Sequence, residues 1–389
     1  MRVIIVGGVA GGASAAARIR RLDERAQITI YERTGFVSYA NCGLPYFVGG
    51  VITDRNELSL QTPESFWQRF RVDVRVRHEV IEIRPEQKTV VVRNLMTGET
   101  LEDRYDKLLL SPGAKPTRLN MSGIDNGKIF TLRTVEDTLK IHRFVREQRP
   151  KSAAVIGGGF IGVEMAENLS QLGMKVTVIE YSDHLMAPLD FDMACAVHAQ
   201  MRRRGIELKL STSVTGFETK GGSVVIHTAS GEEMVADMVL LAVGVTPDTD
   251  LAKRAGLALG LRNSIVVNDR METSVPDIYA VGDAVEVKHF VTGKKALIAL
   301  AGPANKQGRI AADNICGGNS VFDGAQGSSV LKLFDMTVAS TGINEAQAKQ
   351  AEIDYDRIVL SPASHAGYYP GGKTMTMKVL YERNTRTLL

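Results

Sequence analysis

The sequence predicts an α/β protein built on two Rossmann-like, three-layer dinucleotide-binding domains, followed by a smaller α+β domain at its C-terminal end. Three observations lead there. The succession apolar strand, glycine turn, helix and second strand occurs at residues 2–32 and again at 152–180. Two Gly/Pro-bearing crossings, "SPGAKP" (111–116) and "VGVTPD" (243–248), bracket the second unit. From about residue 325 the pattern changes to short alternating runs, "SSVLKLFDMTVASTG" and "RIVLSPASHAGYYPGGKTMTMKVLYE", which suggest a mixed sheet.

Composition fits that class. The chain has 389 residues, enough for two or three domains. It is 44% apolar and 23% charged, with 47 basic against 44 acidic side chains for a net charge of +3. That balance gives no reason to expect a nucleic-acid partner. No run of roughly 18 apolar residues occurs, so no membrane segment is expected. Three scattered cysteines, Cys42, Cys195 and Cys316, offer neither a disulfide framework nor zinc spacing, and a cytoplasmic location is the default. No metal is expected.

In the first unit, "RVIIVGGVAGGASAAARIRRL" runs from strand through turn into an alanine-rich helix, and "AQITIYER" supplies the next strand. Gly7 allows the tight turn and Gly12 lets helix and strand approach; the helix N-terminus then offers N–H groups to a pyrophosphate. Glu32 lies where a carboxylate would bond ribose hydroxyls. The middle glycine of G-x-G-x-x-G is replaced by Val9, and Gly11 adds a glycine beside Gly12, so a plain strand-to-helix turn stays open as the alternative. The helix carries Arg18, Arg21 and Arg25 at spacings of three and four, a face that suits phosphate or simply water.

The next stretch, "FVSYANCGLPYF", has one cysteine, Cys42; a Cys-x-x-x-x-Cys pair would need a second at Phe47. No internal disulfide can form there. A redox role would route Cys42 through a mixed disulfide, a persulfide or a sulfenic acid. Downstream, "RVDVRVRHEVIEIRPEQKTVVVRN" alternates and predicts antiparallel strands laid over the core.

The second unit, "SAAVIGGGFIGVEMAENLSQLGMKVTVIEYS", has the complete fingerprint in Gly157, Gly159 and Gly162, and its second strand ends at Glu180. A carboxylate there favours a ribose 2′-hydroxyl over a 2′-phosphate, hence NADH over NADPH. Further on, "METSVPDIYAVGDAVEV" places Asp283 just after a short apolar strand and Gly282. Cys195 and Cys316 fall on helical patterns with apolar neighbours, where inert packing is expected.

The motifs "VGGVAGG", "YANCGLPY", "LLLSPGAKP", "VIGGGFIGVE", "LLAVGVTPDT" and "YAVGDA" occur in the order of the pyridine nucleotide-disulfide oxidoreductases, which the chain resembles over nearly its whole length. "SYANCGLPY", "LAGPANKQGR" and "SHAGYYPGG" resemble the single-cysteine branch: coenzyme A-disulfide reductases and NADH-dependent CoA-persulfide reductases. The resemblance implies an FAD domain at 1–112 and 245–324, an NAD(P)H domain at 113–244 and a dimerisation domain at 325–389. Family members continue beyond the last residue here, so the chain is expected to stop within a hairpin. FAD would be held by Gly7, Gly8, Gly11, Gly12, Glu32, Arg33, Val80, Asp283 and Ala301. NADH would be held by Gly157, Gly159, Phe160, Gly162, Glu164, Glu180 and Gly244.

A coenzyme A disulfide or persulfide substrate would meet Ser14, Arg18, Arg21, Ser38, Asn41, Arg71 and Asn305; a lysine of that branch falls at Phe70, beside Arg71. Cys42 would be the nucleophile, its thiolate stabilised at a helix start against the flavin. Tyr368 would reach the neighbouring subunit's site in a homodimer and protonate the departing thiolate. Single-cysteine NADH oxidases and peroxidases resemble the chain but carry a histidine where Ala10 stands. Ferredoxin- or rubredoxin-type reductases share both nucleotide motifs without needing Cys42. Both remain as alternatives.

Overall fold

The computed structural model describes residues 1–389. Nine helices are referred to below: α1 (Ala10–Leu22), α2 (Leu44–Val48), α3 (Pro63–Phe70), α4 (Val135–Gln148), α5 (Phe160–Gln171), α6 (Phe191–Arg203), α7 (Asp250–Arg254), α8 (Ala301–Ile315) and α9 (Glu345–Gln350). Strands are given by their residues.

Two five-stranded parallel sheets organise the molecule. In the first, the strands run in the order 278–280, 107–110, 2–6, 27–32, 73–76. The second runs 207–209, 175–179, 152–156, 238–241, 129–131. Helices cover both faces of a parallel sheet, so central strands read as unbroken apolar runs. Val3, Ile4 and Ile5 are fully buried, as are Val155 and Leu240 in the second sheet. Each sheet carries a three-stranded antiparallel meander, 78–84/89–94/100–104 and 214–220/223–228/233–236. The two Gly/Pro crossings pair with each other as short antiparallel strands, 114–116 against 245–247.

Across the first sheet, α1 and α8 lie against one another. A Cβ on Gly308 would sit 2.4 Å from the Gly11 carbonyl oxygen, so this helix contact needs the missing side chain. One apolar core of 38 residues fills the first domain. Another, of 27, joins α2 (Leu44, Phe47, Val48) to the second domain and to Leu331 and Leu333 of the C-terminal region.

Three expectations fail locally. Residues 73–76 do not join the antiparallel strands: they extend the first parallel sheet at its edge, and only 78–104 form the meander. The alternating pattern specified a two-faced strand but not its partner. The C-terminal region is not one mixed sheet but two separate antiparallel hairpins, 329–333/336–340 and 355–360/377–382, with α9 between them. Finally, Cys195 is exposed. Residues Ala194, Val197, His198 and Met201 of α6 face the core, and that periodicity turns Cys195 outward. Cys316 packs partly buried on the first core, as expected.

Candidate functional site

The first glycine turn is fixed by its own crowding. Gly7 has φ +93°, and a Cβ there would lie 2.1 Å from the Ser111 carbonyl oxygen. A Cβ on Gly12 would come within 2.0 Å of the Gly7 carbonyl. Glu32 is buried and accepts from the Gly8 N–H (2.9 Å) and the Thr34 N–H (2.8 Å), so its carboxylate holds the turn to the end of the second strand. Val9, in place of the middle glycine, is the N-cap residue of α1 at negative φ, with its side chain packed toward the α2 core. That position therefore requires no glycine conformation. Gly11 faces Ser111 and Val281, and the Gly12 N–H donates to Ser111 Oγ (3.1 Å).

Asp283 follows strand 278–280 on a one-turn 3-10 helix. Desolvation holds its carboxyl above the usual carboxylate range, and Arg133, 3.1 Å away, offsets only part of that rise. The Gly282 N–H donates to Gln307 Oε1 at 2.7 Å, which ties Asp283 to α8. Sequence reasoning missed Ser111, Arg133 and Gln307. Arg133 lies in an unremarkable segment of the other domain, and only folding brings it here. Of the remaining FAD candidates, Arg33 is ion-paired with Asp248 (2.6 Å), Val80 is buried in the first core beside a bulge, and Ala301 is the exposed first residue of α8.

Cys42 lies on a 3-10 turn, Asn41–Gly43, that feeds α2 with Pro45 in its first turn. Ser38 enters this loop at φ +48°, its N–H donating to the Gly8 carbonyl at 2.8 Å, which fastens the cysteine loop to the glycine turn. Phe47 points away from Cys42 into the core and packs on His142 of α4, ring centroids 5.0 Å apart. Cys42 is thereby left exposed and alone. Behind it, Tyr46 Oη donates to Glu164 Oε1 of α5 at 3.4 Å. Burial raises the Glu164 carboxyl to about 7, and the neighbouring Glu167 adds to the effect. Without the flavin ring that the expectation invoked, the surroundings of Cys42 act against a thiolate. Although Cys42 reaches solvent, the protein packed around its thiol partly desolvates it, and that desolvation first, with the Glu164 carboxylate second, pushes the thiol up.

The substrate candidates fall into three groups. Ser14 Oγ donates to Asn305 Oδ1 at 2.7 Å across the α1–α8 contact. Arg18, one turn on, is not an open cation: its Nε is held by Asp313 at 2.7 Å. Arg21 and Arg25 are exposed. Arg20, between Arg18 and Arg21, serves the backbone, donating to the carbonyls of Asp23, Glu24, Ala26, Phe70 and Arg71 and pinning the end of α3 to α1. Arg71 occupies the left-handed cap of α3 with its guanidinium 5.5 Å from the Trp67 ring. Ser38 and Asn41 sit on the cysteine loop, where Asn41 Oδ1 is buried without a partner. Tyr368 is not brought to this place. It stands 91% exposed on the loop between strands 355–360 and 377–382.

The second glycine turn repeats the first. Gly157 has φ +104°, and a Cβ on Gly162 would lie 2.0 Å from its carbonyl. Glu180 accepts from the Gly158 N–H (2.6 Å) and the Ser182 N–H (2.7 Å). Around Gly159 there is open space on the side a Cβ would take, so packing within the chain does not require a glycine there. Phe160 opens α5, and Gly244 accepts the Thr117 N–H at the crossing. These features fit two bound dinucleotides. The orphaned Asn41 oxygen and the partly buried Asp283, with one cationic neighbour, suit the polar groups of FAD at the first turn.

Residues 1–308 match the family described as pyridine nucleotide-disulphide oxidoreductase, and residues 328–389 its dimerisation domain. The coenzyme A disulfide reductase of Staphylococcus haemolyticus is 36% identical over 389 residues, spanning all of this chain and 86% of that protein. The crystal structure of reduced CoADR-RHD from Bacillus anthracis superposes with a TM-score of 0.97 at 47% identity, covering all of this chain and 70% of that one. A NAD-dependent persulfide reductase from A. fulgidus superposes at 0.96 with 37% identity, covering 100% and 73%.

Proposed function

The chain belongs to the pyridine nucleotide-disulphide oxidoreductases, a flavin-dependent family, and from that membership we propose that it uses NADH to reduce coenzyme A disulfide or coenzyme A persulfide through Cys42. The observation that carries this reading is the exposed thiol of Cys42, fastened to the first glycine turn, with Phe47 turned into the core where a second cysteine would be needed. A thiol so placed must take its sulfur partner from the substrate.

FAD, when bound, accepts hydride from NADH and passes the electron pair on to sulfur. Everything else falls to the chain. The two glycine turns offer backbone N–H groups to the pyrophosphates, and Glu32 and Glu180 fix those turns. Glu180 presents a carboxylate where NADPH would carry its 2′-phosphate, which favours NADH. As a thiolate, Cys42 attacks the disulfide: its bond to one sulfur forms, the S–S bond breaks, and one coenzyme A leaves as thiolate. Reduction of the mixed disulfide frees the second. NADH, one proton and coenzyme A disulfide thus give NAD⁺ and two coenzyme A thiols. With a persulfide, Cys42 attacks the outer sulfur, the S–S bond breaks and coenzyme A leaves as thiolate; two-electron reduction of the Cys42 persulfide, with the electrons from NADH, then releases that sulfur as sulfide.

We place the substrate's nucleotide end along Ser14, Arg18, Arg21, Asn305 and Arg71, and its sulfur end at Ser38, Asn41 and Cys42. Domain boundaries at 112/113, 244/245 and 324/325, a homodimer in which Tyr368 serves the opposite subunit, and a cytoplasmic setting complete the proposal. The match to the dimerisation domain and the exposed apolar residues Ile358, Val359 and Leu360 favour the dimer.

The decisive experiment is Cys42→Ser. The variant should retain FAD and its reduction by NADH, while turnover of coenzyme A disulfide and persulfide falls by at least ~10³-fold. Full turnover in the variant removes Cys42 from the reaction. Peroxide or oxygen as the better oxidant of the reduced wild type would move the protein to the oxidases.

A further inference from the structure

The segment that follows Glu180 covers the second glycine turn. The Met186 N–H donates to the Gly158 carbonyl at 2.8 Å, and fully buried Leu185 lies so close that a Cβ on Gly158 would be 2.2 Å from its Cδ2. The Leu185 N–H is held by buried His198 Nε2 at 3.1 Å. Residues 181–190 thus hold Gly158, whose N–H the Glu180 carboxylate also accepts.

Its far end is held by the C-terminal domain. Asn344 Nδ2 donates to the Ala187 carbonyl at 3.0 Å, and the Glu345 N–H donates to Asp190 Oδ1 at 3.0 Å. The other oxygen of Asp190 lies 3.0 Å from Lys378 Nζ. The Lys378 side chain is 4% exposed and also meets Asp192 (2.8 Å) and Glu345. Glu345 is shared with Arg357 and the Tyr355 hydroxyl, each at 2.6 Å. Asp190 occupies the N-cap position of α6, where an aspartate ordinarily caps its own helix, yet its side chain makes no capping bond. Both of its oxygens go to the C-terminal domain.

We propose that Lys378, acting through Asp190, is a positioning residue for the nicotinamide dinucleotide: it anchors segment 181–190 and so holds Gly158 and Glu180 where the pyrophosphate and adenosine ribose bind. This rests on the reading above that the second turn takes NADH. Removing this ammonium leaves Asp190, whose side chain is 14% exposed, without its cationic partner, while Glu345 keeps Arg357 and Asp192 faces water, so the loss falls on the residue that anchors the segment. The anchor also lies ten residues after Tyr368 on the same hairpin, which joins the dinucleotide site to the loop proposed to serve the other subunit.

The test compares wild type, Lys378→Met, Lys378→Arg and Asp190→Asn as FAD-loaded protein. Lys378→Met should raise KM for NADH about tenfold, with kcat and the KM for coenzyme A disulfide within about twofold of wild type. Lys378→Arg should recover most of the loss. Backbone amide exchange at Leu185 and Met186, measured in the FAD-loaded protein without any nicotinamide dinucleotide, should speed up in Lys378→Met and slow again when NAD⁺ is added. Unchanged KM and unchanged exchange would overturn the proposal. If Lys378→Met does not fold, Asp190→Asn reads the same two quantities with the lysine's other partners intact. Exchange needs no turnover, so a protein inactive toward coenzyme A disulfide would sink the proposed function and still decide the role of Lys378.

Discussion

Cys42 and Glu164 show how one side chain sets the state of another. Both sit in partly dry surroundings, and Glu164 is the charged group that acts on the thiol. In the FAD-free protein, Cys42 should be alkylated by iodoacetamide more slowly at pH 7 than a small free thiol is, because the raised thiol leaves less thiolate. Glu164→Gln removes the opposing carboxylate and should speed that reaction. The same variant carries a stability signature. Folding raises the Glu164 carboxyl from the ordinary glutamate range to about 7, so between those values the folded state binds more protons than the unfolded one. Stability from this group is full in acid and is lost as pH rises through about 7. Glu164→Gln should flatten the fall in unfolding midpoint between roughly pH 5 and pH 7 in the FAD-free protein. A parallel fall in the variant would assign the effect elsewhere.

At the scale of elements, the α1–α8 contact does the most for the site. It brings Ser14 onto Asn305 and Arg18 onto Asp313, and it depends on backbone meeting backbone at Gly11 and Gly308. Gly308→Ala would force its methyl against the Gly11 carbonyl. The expected cost is about 1–3 kcal/mol, with loss of bound FAD because the first turn shifts with the helix. Gly302→Ala, on the same helix with open space around it, is the control. It should be neutral or gain up to about 1 kcal/mol from helix propensity. Thermal unfolding and flavin absorbance read both. Equal behaviour of the two variants would mean that the close approach is not needed.

The whole molecule divides the chemistry between regions far apart in sequence. The 27-residue core runs from α2 through the second domain to Leu331 and Leu333, so the cysteine loop, the NADH turn and the C-terminal region share one interior. Tyr368, by contrast, has no place in its own chain. If it completes the partner's site, Cys42→Ser and Tyr368→Phe homodimers are each impaired, but remixing them creates one intact site per heterodimer. A statistical mixture should recover about a quarter of wild-type turnover. Strict additivity of the two residual activities after subunit exchange would place Tyr368 outside the partner's site.

The glycines at 7, 12, 157 and 162, Glu32, Glu180 and the apolar strands were legible along the chain because each is a local requirement: a turn too tight for a side chain, a helix that must touch its strand, a strand covered on both faces. That was enough for the two-domain α/β class and for the position of both nucleotide turns. Pairing choices were not legible, since alternation fixes which face of a strand is buried but not its neighbour; hence residues 73–76 joined the parallel sheet and the C-terminal strands separated into two hairpins. Nor were the partners of Asp283, Arg18 and Lys378, which lie 150, 295 and 188 residues away at Arg133, Asp313 and Asp190. Sequence by itself determined where backbone must bend and what must be buried. Tertiary structure alone decided which charges meet and how dry they are, because a side chain's charge state depends on neighbours that only the folded chain supplies.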